Sequence, residues 1–216
     1  MREQLLTGLS GSAKTLLLSG LYDQGSKPQI LITYNLLQAQ KWQEDLSDLV
    51  GGDNVYLYPV NELISSEIAI ASPEMRAQRI EVMNAFFADF KGIVIVPIAG
   101  LRRLLPPKDL WQKSQYTLTV GEDIEVESFL AHLQAMGYTR VDLVQTPGEF
   151  SVRGGIIDIY SLTEEYPLRI DLFDTEIDSM RFFNAEDQRS LEEITTVRIG
   201  PAEETIMFDE EWDRGS

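Results

Sequence analysis

The first half of the chain alternates short apolar runs with amphipathic segments. Runs rich in β-branched and aromatic residues occupy positions 29–34, 55–58 and 93–97, and their length and composition predict strands. The segments between them have helical character. Strands that alternate with helices are typical of a parallel sheet flanked by helices. The first half is therefore predicted to be an α/β domain.

Capping signals locate two of the helices. Asn35 followed by Gln38 resembles a capping box and predicts a helix over about 35–49. The Ser-Pro-Glu sequence at 72–74 supplies an N-cap, a proline at the first helical position and an early acid. It predicts a second helix that runs to about Phe90.

A different pattern follows the proline pair at 106–107. A strand is predicted at 116–120 and a helix at 126–136, ended by Gly137. Four closely spaced strands come next, at 149–153, 156–160, 168–173 and 177–183, with Gly-Gly, Glu-Glu and Asp-Thr pairs as turns. The second half is predicted to be α+β with an antiparallel sheet.

These patterns predict two domains and a tail. We place the first domain at 1–113, the second at 114–200 and a tail at 201–216. The tail is read either as the start of a returning segment of the first domain or as an artificial end of the chain.

The negative charge is concentrated in the second half. The chain has a formal net charge of -17, and residues 1–113, with 11 basic and 12 acidic side chains, contribute only -1 of it. The remainder carries -16, and all its basic residues are arginines. Because nonspecific DNA binding depends on basic groups that displace counterions, direct DNA binding by this half is not expected.

Composition also removes several classes of site. The chain has no cysteine and one histidine, so we expect no disulfide, no zinc site and no catalytic triad. His132 is interpreted as a helix-surface residue. No secretory signal or membrane-length apolar segment is found, and a cytoplasmic protein is expected.

A phosphate-binding motif is the most conspicuous signal of an enzyme. The sequence Gly8-Leu9-Ser10-Gly11-Ser12-Ala13-Lys14-Thr15 matches G-x-x-x-x-G-K-[ST] except at Ala13, where the last glycine belongs. In a working loop, backbone N–H groups, the lysine and the threonine hydroxyl hold phosphates and Mg²⁺. Ala13 adds a Cβ where the backbone should approach the phosphates closely.

Hydrolysis also needs an acidic residue at a strand end to organise Mg²⁺ and water. The strand at 93–97 is followed by Ile98 and Ala99 with no carboxylate. We therefore expect a structural loop without turnover and assign no catalytic residue and no metal ligand. Weak binding of a nucleotide, or of an anion at the helix start, stays open.

The strand at 168–173 suggests a binding surface. Alternation places Leu168, Ile170 and Leu172 on a core face. Arg169, Asp171 and Phe173 then share the other face, and Arg153 lies nearby if the strands pair. An aromatic beside an arginine is enriched where proteins bind proteins. The alternative is that Phe173 packs under the helix at 126–136 while Arg169 pairs locally with Asp171 or Glu176.

Residues 147–160, 169–181 and 188–193 closely resemble the N-terminal region of the bacterial transcription-repair coupling factor family, as does the degenerate loop. The resemblance covers nearly the whole chain, and a weaker one connects it to the repair helicase subunit UvrB. Since UvrB keeps the intact loop glycine, Ala13 favours the coupling factors.

The resemblance implies a degenerate RecA-like, P-loop NTPase-like domain that carries an inserted α+β domain. In the family this insert binds the excision-repair protein UvrA, and its contact residues fall on Arg153, Arg169 and Phe173. No cofactor is expected in this segment. ATP and Mg²⁺ belong to the implied full-length motor, an ATP-dependent DNA translocase that displaces stalled RNA polymerase and recruits nucleotide excision repair.

The other implied partners follow from the same resemblance. RNA polymerase and DNA would be bound only by absent parts of the parent protein, and a C-terminal domain of that parent would mask the UvrA-binding face. Two alternatives stay open at this point. One is a UvrB-like, nucleotide-binding repair protein, and the other is an autoinhibitory module that contacts its own parent chain.

Overall fold

A computed structural model describes residues 5–60, 72–88, 90–102 and 105–204. The chain divides into two compact units by its internal contacts. Among the described residues, the first unit comprises 5–60, 82–88 and 90–102, and the second comprises 72–81 and 105–204. The domain boundaries taken from the sequence stay predictions, and the tail beyond residue 204 lies outside the described residues.

The first unit is built on a three-stranded sheet with the order β1-β3-β2, in which both pairings are parallel. Its elements are α1 (Ser12–Gln24), β1 (Gln29–Thr33), α2 (Leu36–Val50), β2 (Val55–Leu57) and β3 (Ile93–Pro97). The helix α3 (Pro73–Phe87) has its first residues in the second unit and its last in the first. The predicted α/β character is confirmed, while the RecA-like assignment stays a prediction.

The start of α2 shows the predicted capping in a modified form. The Asn35 side chain accepts a hydrogen bond of 2.8 Å from the Gln38 N–H. The Gln38 side-chain oxygen accepts a hydrogen bond of 2.9 Å from the Tyr34 N–H. In a standard capping box the donor would be the N–H of the N-cap residue, here Asn35. Both bonds satisfy backbone donors at the helix entrance. Ala39 and Leu46 are thereby held in the core against β3.

The second unit contains a six-stranded sheet with the order β10-β9-β8-β7-β6-β5. All its pairings are antiparallel except that of β5 with β6. Its strands are β5 (Thr139–Arg140), β6 (Glu149–Arg153), β7 (Ile156–Ile159), β8 (Leu168–Phe173), β9 (Glu176–Phe183) and β10 (Ser190–Ile194). The predicted antiparallel sheet is confirmed.

Further elements complete this unit. They are α4 (Lys108–Lys113), α5 (Val126–Ala135) and a separate antiparallel pair of β4 (Tyr116–Thr119) with β11 (Thr196–Ile199). The sequence patterns did not identify α4, β5, β10 or β11. One face of the six-stranded sheet forms the core of this unit, where the buried side chains include Phe150, Ile157, Ile170, Ile177 and Met180.

The interpretation of His132 as a surface residue is wrong. Phe129, His132 and Leu133 lie at helical spacing on the buried side of α5, and His132 is only 4% exposed. Its Nε2–H donates to the Ser114 carbonyl oxygen at 3.2 Å. The imidazole therefore fills a core position, and burial lowers its pKa below the ordinary value.

This burial predicts a pH dependence of stability. Because the folded pKa of His132 is lowered, the unfolded chain takes up the proton first as the pH falls. The free energy of unfolding should decrease below about pH 6.5, by roughly 1 kcal/mol per unit until the folded state also protonates. Urea unfolding at pH 7.5 and 5.5 measures the difference.

The control is His132→Gln, which does not titrate. Its free energy of unfolding should change less over the same interval, because its other ionisable groups are those of the parent chain. An equal pH dependence in both proteins would contradict the assignment.

Candidate functional site

The strand register brings the predicted arginines together on one face of the six-stranded sheet. Ser151 pairs with Asp158, Asp158 with Arg169, and Arg169 with Arg181. These residues form a row across β6, β7, β8 and β9. Paired residues share a face of the sheet, so the row places Asp158 between Ser151 and Arg169, and Arg153 lies two residues beyond Ser151 on β6.

Asp158 is the centre of this row. Its side chain is fully buried, yet it accepts three hydrogen bonds from two arginines. Arg169 donates through Nε to Oδ1 at 2.7 Å and through Nη2 to Oδ2 at 2.8 Å. Arg153 donates through Nη2 to Oδ2 at 2.7 Å. The buried carboxylate is thus paired as a buried charge must be.

Arg169 is held from three directions. Besides Asp158, it donates through Nη2 to the Gln188 side-chain oxygen at 2.8 Å. Its guanidinium carbon lies 4.2 Å from the centre of the Phe183 ring. The hydrogen bonds to Asp158 raise the pKa of Arg169, against the opposing effect of burial. The side chain is only 13% exposed, so most of Arg169 lies below the surface of this face.

Arg153 has a different environment, because its side chain is 46% exposed and makes the single bond to Asp158. The local pairing considered for Arg169, with Asp171 or Glu176, is also wrong. Asp171 accepts instead from Arg181. The reason is the register, which places Asp158 directly beside Arg169.

Phe173 ends β8 and is 77% exposed. The alternative that it packs under α5 is therefore wrong. It precedes the tight turn to β9, where Asp174 adopts a left-handed backbone conformation with φ 59°. That Phe173 shares a face with Arg169 stays a prediction, because the β8–β9 register shifts between Asp171 and Leu172. Of the two side chains, only Phe173 is well exposed.

The turn beside Phe173 is fixed by the segment that precedes α5. Thr175 donates its hydroxyl proton to Asp123 at 2.7 Å. The Ile177 N–H donates to the Glu122 carbonyl at 2.9 Å, and the Ile124 N–H donates to the Thr175 carbonyl at 2.8 Å. An exposed aromatic on a fixed turn loses little freedom when it binds, which favours its use as an anchor.

The hairpin between β6 and β7 lies against the same end of β8. Gly154 has φ 60°, as the tight turn requires. Gly155 accepts a 2.7 Å hydrogen bond from the Leu172 N–H. A Cβ on Gly155 would lie 2.9 Å from the Leu172 carbonyl oxygen. The bare backbone at Gly155 therefore lets β8 pass closely just before Phe173.

Several residues of this site were not identified from the sequence. Asp158 was one, although a lone charge inside the apolar run Ile156–Ile159 was an available signal. Gln188 gave no such signal, since its φ of 62° and its reach to Arg169 depend on the fold. Asp123 and Thr175 likewise meet across 52 residues of sequence.

The phosphate-loop residues lie in the first unit. Gly8 and Gly11 adopt positive φ angles of 78° and 55°, and Gly11 is the N-cap of α1. Ser12 and Ala13 open the helix, and the Ala13 N–H bonds to the Ser10 carbonyl at 3.2 Å. Thr15 is buried, whereas Lys14 is exposed.

A cavity of about 590 Å³ lies beside this loop and is lined by Lys14 and Thr15 together with residues of α2. The α2 residues include Lys41 and the two acids Asp45 and Asp48. The cavity wall is therefore of mixed charge. Across the described ranges, no group of three or more potential metal-ligating side chains is clustered. None of the helices described is long and apolar enough to span a membrane.

Comparison with known proteins agrees with the second unit being a recognised domain. Residues 116–204 match the model of the UvrB interaction domain. This segment includes the whole six-stranded sheet and the row centred on Asp158. The second unit thus contains a UvrB interaction domain.

Curated relatives extend the similarity to almost the whole chain. The transcription-repair-coupling factor of Bacillus subtilis (strain 168) is 55% identical over 211 residues, which are 98% of this chain and 18% of the relative. That of Staphylococcus aureus (strain Mu50) is 46% identical over 206 residues, or 95% of this chain and 18% of the relative. The chain spans about a fifth of the length of these relatives and belongs to the transcription-repair coupling factor family.

The close passage at Gly155 gives a prediction. Gly155→Ala should lower the free energy of unfolding by roughly 1–3 kcal/mol, because its Cβ must displace the backbone of β8. Denaturant unfolding measures this change. Gly200→Ala, in the same unit, is the matched control, since a Cβ there meets nothing within 4 Å. Equal stability of the two variants would show that β8 accommodates the side chain freely.

Proposed function

We propose that this chain is a recruitment module that docks the repair protein UvrA and performs no chemistry of its own. The observation that carries the proposal is the arrangement at one end of the sheet in a UvrB interaction domain. There, an exposed Phe173 stands on a fixed turn, and Arg153 and Arg169 are aligned on the buried Asp158.

The contact chemistry supports a protein partner. Arginine and aromatic side chains dominate the binding energy of many protein interfaces, whereas surrounding polar residues mainly exclude water. The half of the chain that carries the site is strongly acidic, so the arginines are local positive points within a negative surface. Acidic groups on the partner would meet these points, and nearby acids would disfavour other alignments.

The first unit supports the absence of ATPase activity. The loop keeps its glycine turns, but two carboxylates line the cavity beside Lys14 and no acid follows β3 before residue 103. Thr15, which would ligand Mg²⁺ in a working loop, is buried. These groups do not fit a magnesium-bound triphosphate well.

Functions of the parent protein are assigned to the parts that this chain does not include. We propose that ATP-driven movement on DNA, displacement of RNA polymerase and masking of the UvrA-binding face by a C-terminal domain reside there. The module would then supply the connection to excision repair in the cytoplasm. Its own net charge is unsuited to holding DNA.

Phe173→Ala tests the docking surface. Truncation of a desolvated aromatic anchor should weaken UvrA binding by about 2 kcal/mol or more, roughly 30-fold. Arg169→Ala should weaken it as well. Calorimetric titration of UvrA measures the affinity, and circular dichroism checks the fold.

Leu191→Ala is the matched control, because Leu191 is a half-exposed apolar residue on β10, at the edge of the same sheet. The affinity of Leu191→Ala for UvrA should equal that of the unsubstituted chain. Unchanged binding in both Phe173→Ala and Arg169→Ala would exclude this surface as the docking site.

A nucleotide titration tests the phosphate loop. Mg-ATP should give no saturable heat with the unsubstituted chain or with Lys14→Ala, since carboxylates line the cavity beside the lysine. Saturable binding that Lys14→Ala abolishes would instead favour the UvrB-like, nucleotide-binding alternative.

A further inference from the structure

The two arginines beside Asp158 keep different numbers of unused hydrogen-bond donors. A guanidinium has five N–H groups. Arg169 uses three of them, one on Nε and two on Nη2, for Asp158 and Gln188. Arg153 uses one. Within the described parts of the chain, the Nη1 group of Arg169 and most of the Arg153 guanidinium therefore have no protein acceptor.

The charges of the cluster are not balanced. Two guanidinium cations share the single carboxylate of Asp158. The neighbouring Arg181 is paired with Asp171, and that pair is neutral by itself. One positive charge is left over at the partly exposed edge of the cluster, where Arg153 reaches solvent.

We infer that one carboxylate of the docking partner completes this cluster by bonding to the unused donors of Arg153 and Arg169, and that Asp158 is the positioning residue for both. This inference rests on the proposed docking function. Asp158 acts through the arginines, since its own side chain is fully buried and cannot touch a partner. A carboxylate matches the planar donor arrangement of guanidinium groups and neutralises the excess charge.

Positioning and charge predict opposite results when Asp158 is neutralised. Asp158→Asn makes the cluster more positive, so a purely electrostatic contribution would strengthen the attraction for a partner carboxylate. The amide also replaces one acceptor oxygen by a donor group, which cannot accept from the arginines. If alignment governs binding, the same substitution weakens the complex.

The first experiment measures association and dissociation rates of UvrA with Asp158→Asn by surface plasmon resonance. We expect about tenfold weaker binding, mostly through faster dissociation, as for other hydrogen-bonded charges at interfaces. Asp178→Asn is the matched control, because it removes the same charge from an exposed position on β9. The affinity of Asp178→Asn for UvrA should stay within about twofold of that of the unsubstituted chain. Equal or tighter binding by a folded Asp158→Asn would overturn the positioning role.

Lysine substitutions keep the inference testable if Asp158→Asn does not fold. Arg169 grips both oxygens of Asp158, and lysine cannot reproduce this fork. Arg153 makes one bond, which a lysine can replace. Arg169→Lys should weaken UvrA binding about tenfold and Arg153→Lys only about threefold or less. Equal losses, or the reverse order, would overturn the assignment.

A milder variant tests the same alignment from the other side. Gln188→Asn shortens the amide that holds Arg169, and asparagine tolerates the positive φ at this position. It should weaken UvrA binding by a smaller factor than Arg169→Lys. An effect on folding alone, with unchanged affinity of the folded protein, would speak against positioning.

A charge exchange identifies the partner carboxylate. Arg153→Glu should abolish binding, and lysine at one acidic position of UvrA should restore it. If no lysine substitution at an acidic position of UvrA restores binding, the inference of a partner carboxylate is wrong. If the unsubstituted 216-residue chain does not bind UvrA, the proposed function fails together with the inference. If Phe173→Ala loses binding while Asp158→Asn behaves like Asp178→Asn, only the inference fails.

Discussion

The second unit depends on the burial of one carboxylate. An unpaired buried charge is costly, so Asp158 is compatible with the fold only where a cation pairs with it, as Arg169 and Arg153 do. That condition requires β6, β7 and β8 to be in register, because a shift of one residue would move the acid to the apolar face. The ion cluster therefore specifies the pairing as well as the surface. Its net contribution to stability can still be small, since desolvation offsets the attraction.

The same constraint orients the side chains of the proposed docking surface. Arg169 is fixed by Asp158, Gln188 and the Phe183 ring before anything binds. Phe173 stands on a turn that is bonded to the segment before α5. Preorganised side chains lose less conformational freedom on association. A negatively charged domain can thus offer a specific site with few positive groups, because each is already oriented.

Local signals were sufficient for much of this sheet. β6 and β8 begin and end where alternation and turn residues predicted. Gly154 and Asp174 follow the two strands directly, and both adopt the positive φ angles of tight turns. β10 was missed because its side chains are largely exposed on both faces, so no alternation exists. Asp158 was missed for another reason. Strand parity assigns a face to a residue but says nothing about its neighbour on the next strand, which depends on register.

The phosphate loop shows the opposite relation between motif and use. Its turn geometry is present at Gly8 and Gly11, which adopt positive φ angles that glycine tolerates without steric cost. A reaction, in contrast, needs every charged group around the reacting atoms, and the cavity beside this loop is lined by Asp45 and Asp48 as well as by Lys14. Docking needs no such complete set. It needs a few side chains in fixed orientations near the surface. A buried acid bonded to two arginines can fix their orientation although no sequence motif identifies the arrangement.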